Sequence, residues 1–254
     1  MAYKMQGSGP EPQAPRQAGR EVATEIVPIP ALHLPPSVWR SATEMRAARD
    51  FRRRVGLDYE TVVSQMIDTA EPQRGVRALD VETGTGVVAR QLAICIGGGG
   101  HVIGVDESLE MVEQARLGAQ SAGLTLRAEW QVAAADSLPF GDEEFDIVTC
   151  GTAFHRLPTQ RFLEEGHRVL KPGGRLVIAD ELRSRLGVLW FWLLALRGYD
   201  RLFRRAEVNT GEQFYLAEEV AEMLGGVGFS QLVVKGMQPR NRRGRAFSLI
   251  KAVK

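Results

Sequence analysis

Apolar and polar residues form two patterns along the 254-residue chain, and the change between them falls near Val76. Before Val76, residues 38–54 and 57–70 predict two helices, of which the second has one apolar face. After Val76, short apolar runs alternate with helical segments. This alternation predicts a doubly wound α/β fold, with a mostly parallel sheet and helices on both faces. The apolar face of the second helix consists of Val62, Val63, Met66 and Ile67.

Seven strands and four helices are predicted after Val76, separated by turns such as residues 171–174 and Gly228. In sheets of this kind, ligands bind beyond the carboxyl ends of the strands, near the switch in strand order. The predicted strands are residues 76–81, 101–106, 124–132, 145–150, 175–180, 232–235 and 246–252, and the predicted helices are 87–96, one capped by Ser108, 162–170 and 218–224.

Proline content sets the start of the chain apart, because seven of the 12 prolines lie in residues 1–36. Proline lacks an N–H donor, so this segment is predicted to be a flexible leader. Residues 37–72 are predicted to form a helical cover. Residues 73–254 are predicted to form the main domain, with an insertion at 183–215 that acts as a lid.

The charge balance argues against a general affinity for nucleic acid. Thirty-two basic and 31 acidic residues leave a formal charge of +1, which provides no field over the whole surface. Arginines cluster at 40–54, 197–205 and 240–245. Each cluster is interpreted as a solvated face. If the clusters converge in space, they are interpreted instead as a contact for an anionic partner such as a membrane surface, a carrier protein or RNA. Nucleic acid is the weaker choice, because the first and third clusters lack interleaved aromatic residues.

The two cysteines, Cys95 and Cys150, have no metal-ligand spacing, and no metal is predicted. Both fall in apolar surroundings, where a free thiol packs as a small hydrophobe. Residues 1–20 lack the apolar core of a signal peptide. The longest apolar run, residues 188–196, is too short to cross a bilayer. These features predict a cytoplasmic protein.

A glycine turn with a distant acid is the first candidate site. Gly84 and Gly86 lie where a predicted strand meets a helix, and they allow a tight turn and close approach of a ligand. Asp106 ends the next strand, at a distance suited to accepting hydrogen bonds from ribose hydroxyls. Residues 84–89 also satisfy the dinucleotide pattern G-x-G-x-x-A, so the turn alone leaves NAD(P) and S-adenosylmethionine (SAM) open.

Further motifs decide between these ligands. In their order and spacing, five motifs resemble those of class I SAM-dependent methyltransferases. The most similar group includes the ubiquinone and menaquinone C-methyltransferases and many small-molecule methyltransferases. A dinucleotide dehydrogenase has no reason to carry the motifs at residues 138–140, 145–148 and 168–174. The five are residues 79–86, 104–108 with Met111, 138–140, 145–148 and 168–174.

The resemblance implies roles for individual residues. Asp80 and the glycine turn would face the methionine part of SAM, and Asp106 would hold the ribose. Glu107 and Ser108 would border the adenosine, the loop before Leu138 would cover the adenine, and residues 152–155 would lie near the methyl-transfer end. The cofactor-binding residues it implies are Asp80, Glu82, Thr83, Gly84, Gly86, Asp106, Glu107, Ser108, Met111, Ala134, Ala135, Asp136 and Thr152.

Two residues depart from the family pattern. Glu82 stands where the family commonly has Gly or Ala, and Ala134 replaces the acid that accepts from the adenine amino group. A lost charged hydrogen bond costs on the order of 1.5–3 kcal/mol at a buried site. The departures keep an alternative open, in which the chain is a SAM-fold protein without turnover that acts as a binding or accessory subunit.

Candidate chemistry lies at the methyl-transfer end. His155 follows the fourth strand and is the candidate base, although capping or packing is the alternative role. In the predicted lid, Trp190, Phe191 and Trp192 would bind the substrate, with plain core or a membrane surface as alternatives. The sequence thus predicts methylation of a small apolar or aromatic acceptor, with S-adenosylhomocysteine (SAH) as product.

Overall fold

Eight strands form one sheet in the part of the chain that the structure, a computed structural model, describes: residues 24–26, 41–183, 212–237 and 245–254. The strands are β1 (Thr24–Ile26), β2 (Arg77–Val81), β3 (His101–Asp106), β4 (Ala128–Val132), β5 (Phe145–Gly151), β6 (Leu170–Arg183), β7 (Ser230–Gly236) and β8 (Arg245–Val253). The helices are α1 (Ala42–Val55), α2 (Tyr59–Ala70), α3 (Val87–Ile96), α4 (Leu109–Ser121), α5 (Thr159–Val169) and α6 (Ala217–Val227).

The order of the last seven strands is β4-β3-β2-β5-β6-β8-β7. Strands β2 to β6 pair in parallel, and β8 lies antiparallel between β6 and β7. The predicted doubly wound, mostly parallel seven-stranded sheet is confirmed. Because β3 and β5 flank β2, the chain leaves β2 on one side and returns on the other. The switch in strand order therefore lies at the carboxyl end of β2, where such sheets bind ligands.

The eighth strand, β1, was not predicted. Its three residues pair in parallel with β7 at the edge of the sheet, with Thr24 opposite Val234. They lie within the segment predicted as a leader, where the proline density hides any alternation. The division into leader, helical cover and main domain stays a prediction.

The segment predicted as a turn at residues 171–174 is instead a bulge inside β6. Leu170 pairs with Phe145, but the next pair joins Arg175 to Ile147, so the four residues between them bulge out of the ladder with β5. Gly173 takes the left-handed conformation, with φ 78°. The prediction of a turn that separates helix from strand is wrong, because pairing with β5 begins before the bulge.

Helix α1 begins at a capping box. The Ser41 hydroxyl accepts from the Glu44 N–H at 3.0 Å, and the Glu44 carboxylate accepts from the Ser41 N–H at 3.2 Å. The arginines of this helix are exposed, as a solvated face requires. Helix α2 follows with its predicted apolar face buried, which confirms that prediction.

Two apolar clusters pack on opposite faces of the sheet. Helices α1 to α4 cover one face, and α5 and α6 cover the other. Both layers hold the carboxyl ends of β2, β3 and β5 in fixed positions. Among the described residues, no helix has the length and apolar character needed to cross a membrane.

Candidate active site

Asp80 connects the glycine turn to the centre of the sheet. It lies in β2 with 1% of its surface exposed. Its two carboxylate oxygens accept from the hydroxyls of Thr83 and Thr149, each at 2.6 Å. Burial raises the pKa of Asp80 to about 6, although these hydrogen bonds oppose the shift. Asp80 therefore connects the glycine turn to β5 through these two hydrogen bonds.

Asp106 is the last residue of β3, and its side chain is held by backbone donors. One carboxylate oxygen accepts from the Gly84 N–H at 2.9 Å, and the other accepts from the Ser108 N–H at 3.0 Å. An ionised carboxylate offers about four acceptor positions, so each oxygen keeps further capacity. The predicted ribose acceptor thus also positions the glycine turn.

The two turn glycines are required for different reasons. Gly84 has φ 55°, and a Cβ atom there would meet no atom within 4 Å, so this face of the turn is open to a ligand. Gly86 has φ 79°, and a Cβ atom there would lie 2.5 Å from the Trp130 ring. Gly104 in β3 meets the same ring, also at 2.5 Å. Trp130, which the sequence did not single out, therefore packs under the turn.

Residues predicted to surround the adenosine lie beside Asp106. Ser108 caps α4 as predicted, because its hydroxyl accepts from the Met111 N–H at 3.3 Å. The Ala133 N–H donates to the Asp106 carbonyl at 3.2 Å, which brings the next loop alongside. Glu107 is exposed, Ala135 is buried, and Met111, Ala134 and Asp136 are half-buried.

His155 and Asp180 form a buried pair past the end of β5. His155 lies in a single turn of 3₁₀ helix, Phe154–Arg156, and is 6% exposed. Its Nδ1 atom lies 2.9 Å from both Asp180 oxygens, and its backbone N–H donates to the same carboxylate at 2.9 Å. The carboxylate thus holds both the backbone and the ring of this histidine.

Residues from the end of the predicted lid surround the His155 ring. Phe214 stacks on it with centroids 4.9 Å apart, and the guanidinium of Arg245 lies 3.4 Å from the Phe214 centroid. A Glu212 oxygen lies 3.8 Å from His155 Nε2. The Gln213 N–H donates to the His155 carbonyl at 2.6 Å, which holds the segment of residues 212–214 against the histidine.

Sequence reasoning missed Asp180 as the partner of His155. The sequence did contain a signal for this pairing. Asp180 ends the predicted strand 175–180, which follows the predicted strand 145–150 that precedes His155, so both residues lie at or past the carboxyl ends of consecutive strands. Thr152, three residues before His155, takes a left-handed φ of 61°. Trp190, Phe191 and Trp192 lie outside the described residues. Among the described residues, no group of three or more His, Cys, Asp or Glu could hold a metal ion.

Comparison with known proteins identifies the family. A family model described as "Methyltransferase domain" matches residues 79–178. The chain is 32% identical over 169 residues to a ubiquinone/menaquinone biosynthesis C-methyltransferase of Geotalea uraniireducens. The aligned region covers 62% of this chain and 72% of that protein. The chain belongs to the class I SAM-dependent methyltransferases. Its cofactor is therefore SAM, and the dinucleotide alternative is excluded.

Other relatives match a shorter part of the fold. A 2-phytyl-1,4-naphtoquinone methyltransferase of Nostoc punctiforme is 38% identical over 107 residues, 42% of this chain and 46% of that protein. Six further curated relatives are matched over 44 to 46% of their length. A solved SAM-dependent methyltransferase from Aquifex aeolicus has a TM-score of 0.57 and 22% identity, with 84% of this chain and 97% of that chain covered. This likeness supports the fold.

The residues at the switch point fit SAM. The open face of Gly84 leaves room for close approach, and the neighbouring carboxylates of Asp106 and Glu82 only accept hydrogen bonds when ionised. SAM carries a ribose diol that needs acceptors, together with a positive sulfonium and ammonium that carboxylates attract. The donor and acceptor chemistry of this methyltransferase site therefore matches its cofactor.

Glu82 is the unusual member of this site. It has a left-handed φ of 55°, which favours glycine. Burial raises its pKa to about 7, and the nearby carboxylates of Asp106 and Glu107 add to the shift. The charged form of Glu82 is therefore disfavoured in the folded protein without a bound cation.

We expect Glu82→Gln to become increasingly stabilising as the pH rises. The folded pKa of about 7 exceeds the usual 4.5, so the folded wild type binds more protons than the unfolded chain between those values and loses stability as pH rises through them. Glutamine cannot ionise, and it keeps the same side-chain length and backbone strain. Urea unfolding without ligand at about pH 5 and about pH 8 measures the change.

Glu143→Gln is the matched control, because Glu143 also has a left-handed φ, 58°, but is exposed. The stability difference between this variant and wild type should not grow with pH. A Glu82→Gln difference that is equal at both pH values would show that the Glu82 carboxylate does not carry the predicted penalty.

Proposed function

We propose that this methyltransferase transfers the methyl group of SAM to a small apolar or aromatic acceptor that loses a proton to His155. The observation that carries the proposal is the buried His155–Asp180 pair at the carboxyl edge of the sheet. Methyl transfer to a neutral hydroxyl or to an activated carbon releases a proton. A positioned histidine is the usual group to accept it.

The contacts of Asp180 favour a base at Nε2. An ionised carboxylate only accepts hydrogen bonds, so the Nδ1–H of His155 donates to Asp180 and Nε2 carries the lone pair. Asp180 also stabilises the imidazolium that forms when Nε2 takes a proton. The Glu212 oxygen lies 3.8 Å from Nε2, beyond hydrogen-bonding distance, so within the described part of the chain Glu212 does not occupy this nitrogen.

The cofactor would bind across the switch point. Asp106 would accept from the ribose hydroxyls, and Ala134, Ala135 and Asp136 would border the adenine. When bound, SAM supplies an electrophilic methyl group on a positively charged sulfur. Glu82 and Asp80 would place negative charge on the methionine side, where it favours a cationic ligand.

The surroundings of His155 support an aromatic acceptor. Phe214 lies flat against the imidazole. Phe154 and Tyr215, the chain neighbours of His155 and Phe214, contact each other with ring centroids 6.1 Å apart. Two relatives are named for quinone or naphthoquinone methylation. We therefore propose a phenol or hydroquinone as acceptor. Its hydroxyl would supply the proton that His155 takes.

Incubation with methyl-labelled SAM and a panel of acceptors tests the proposal. We expect label in an alkylated hydroquinone and none in the matched analogue whose two hydroxyls are already methylated. Equal transfer to that analogue, or preferred transfer to a polar amine, would contradict it. SAH binding with no transfer to any acceptor would favour the alternative of a binding or accessory subunit.

A further inference from the structure

An ion pair lies fully inside the protein, next to the glycine turn. Arg90 in α3 is 1% exposed and Glu44 in α1 is 3% exposed, and their side chains meet at 2.5 Å. Charged residues are rarely buried to this extent, and moving them out of water is costly. A buried pair is therefore weak evidence for stability, and it calls for another explanation.

Arg90 also holds the turn directly. Its guanidinium donates to the Thr85 carbonyl at 2.6 Å. The N–H of the same peptide, which belongs to Gly86, donates to the Thr83 carbonyl at 2.9 Å. Both ends of the peptide between the two turn glycines are thus fixed. Since glycines are flexible, this peptide would otherwise rotate easily.

Glu44 connects the same arginine to the start of α1. One carboxylate oxygen binds Arg90, and the other accepts from the Ser41 N–H in the capping box. Gly118 in α4 makes room for the guanidinium, because a Cβ atom there would overlap Arg90 Nη1. Three helices and the turn therefore meet at one buried side chain.

We propose that Arg90 is a positioning residue that holds the turn in its SAM-binding shape and couples the turn to docking of α1 through Glu44. This inference rests on the proposed SAM site at the turn and not on the acceptor. Coupling between two sites is reciprocal, so SAM binding strengthens docking of α1 by the same factor by which docking strengthens SAM binding.

Calorimetric titration with SAH, together with amide hydrogen exchange, tests this coupling in the whole chain. We expect Arg90→Gln to weaken SAH binding about tenfold, equivalent to about 1.4 kcal/mol. Arg90→Lys keeps the charge but loses the planar fork, and Glu44→Gln keeps the shape but loses the charge; each should weaken binding about threefold. In wild type, SAH should slow exchange of the α1 amides, and Arg90→Gln should lose this effect.

Arg116→Gln is the control, because Arg116 forms an exposed ion pair with Glu113 on α4, away from the turn. It should leave SAH affinity within about twofold of wild type. If Arg90→Gln does not fold, Arg90→Lys and Glu44→Gln decide. Variants that lose stability to urea but keep wild-type SAH affinity would overturn the proposal, because the pair would then be only structural. Acceptor methylation plays no part in these measurements, so their failure is distinct from failure of the proposed reaction.

Discussion

Turnover should fall by about 10²- to 10⁴-fold when Asp180 is replaced by Asn, the range expected for loss of general base catalysis. The amide can donate to Nδ1, which would move the ring proton to Nε2 and remove the lone pair there. It also cannot stabilise an imidazolium. His155→Gln should have an effect of similar size. Methylation of a phenolic acceptor at saturating SAM is the measurement.

SAH affinity separates this role from a general disturbance of the site. We expect both variants to bind SAH within about twofold of wild type, since the pair lies beyond β5 and not under the glycine turn. His167→Gln is the control, because His167 is half-buried in α5 against Phe229. Turnover near the wild-type rate in Asp180→Asn would eliminate His155 as the base.

The second large effect is expected at Asp106. Asp106→Ala should weaken SAH binding by about 2 kcal/mol or more, roughly 30-fold, because a charged acceptor is lost. The Gly84 N–H loses its partner at the same time, so the turn is also less fixed. Asp106→Asn retains one acceptor oxygen and should fall between Asp106→Ala and wild type. Calorimetric titration measures all three proteins.

Asp142→Ala provides the comparison for Asp106, because Asp142 is an exposed carboxylate that pairs with Arg168. Its removal should leave SAH affinity within about twofold. An Asp106→Ala protein that is folded and binds SAH as tightly as wild type would assign the ribose to another residue.

The central part of the fold was predictable from sequence. Helix α3 and strand β3 have the predicted bounds, because the glycine run at residues 97–100 separates two segments that are rich in apolar residues. Strand β4 is shorter than predicted and begins at Ala128, since the Arg127 N–H donates to the Leu124 carbonyl in a turn. The alternation of side chains continues through that turn, so periodicity alone could not separate them.

The candidate site was predictable where its residues are consecutive. The glycine turn and Asp106 follow from strand ends, and the structure places them in hydrogen-bonding contact. Arg90 was not predictable, because an arginine in a helix is usually exposed and only the docking of α1 buries it. Asp180 and Phe214 were missed because they lie 25 and 59 positions from His155 in the chain.

The packing of Trp130 has a consequence for how this methyltransferase can change over evolution. Its ring fills the volume that side chains at Gly86 and Gly104 would need, so the three positions behave as one unit. A methyl group at Gly104 needs a smaller ring at position 130, and a smaller ring alone leaves a cavity. Gly86 carries a further constraint, because its left-handed φ of 79° disfavours any side chain even when the ring is smaller. Substitutions at Gly104 and Trp130 are therefore expected to show epistasis, in which the pair of changes destabilises the protein less than the two single changes added together.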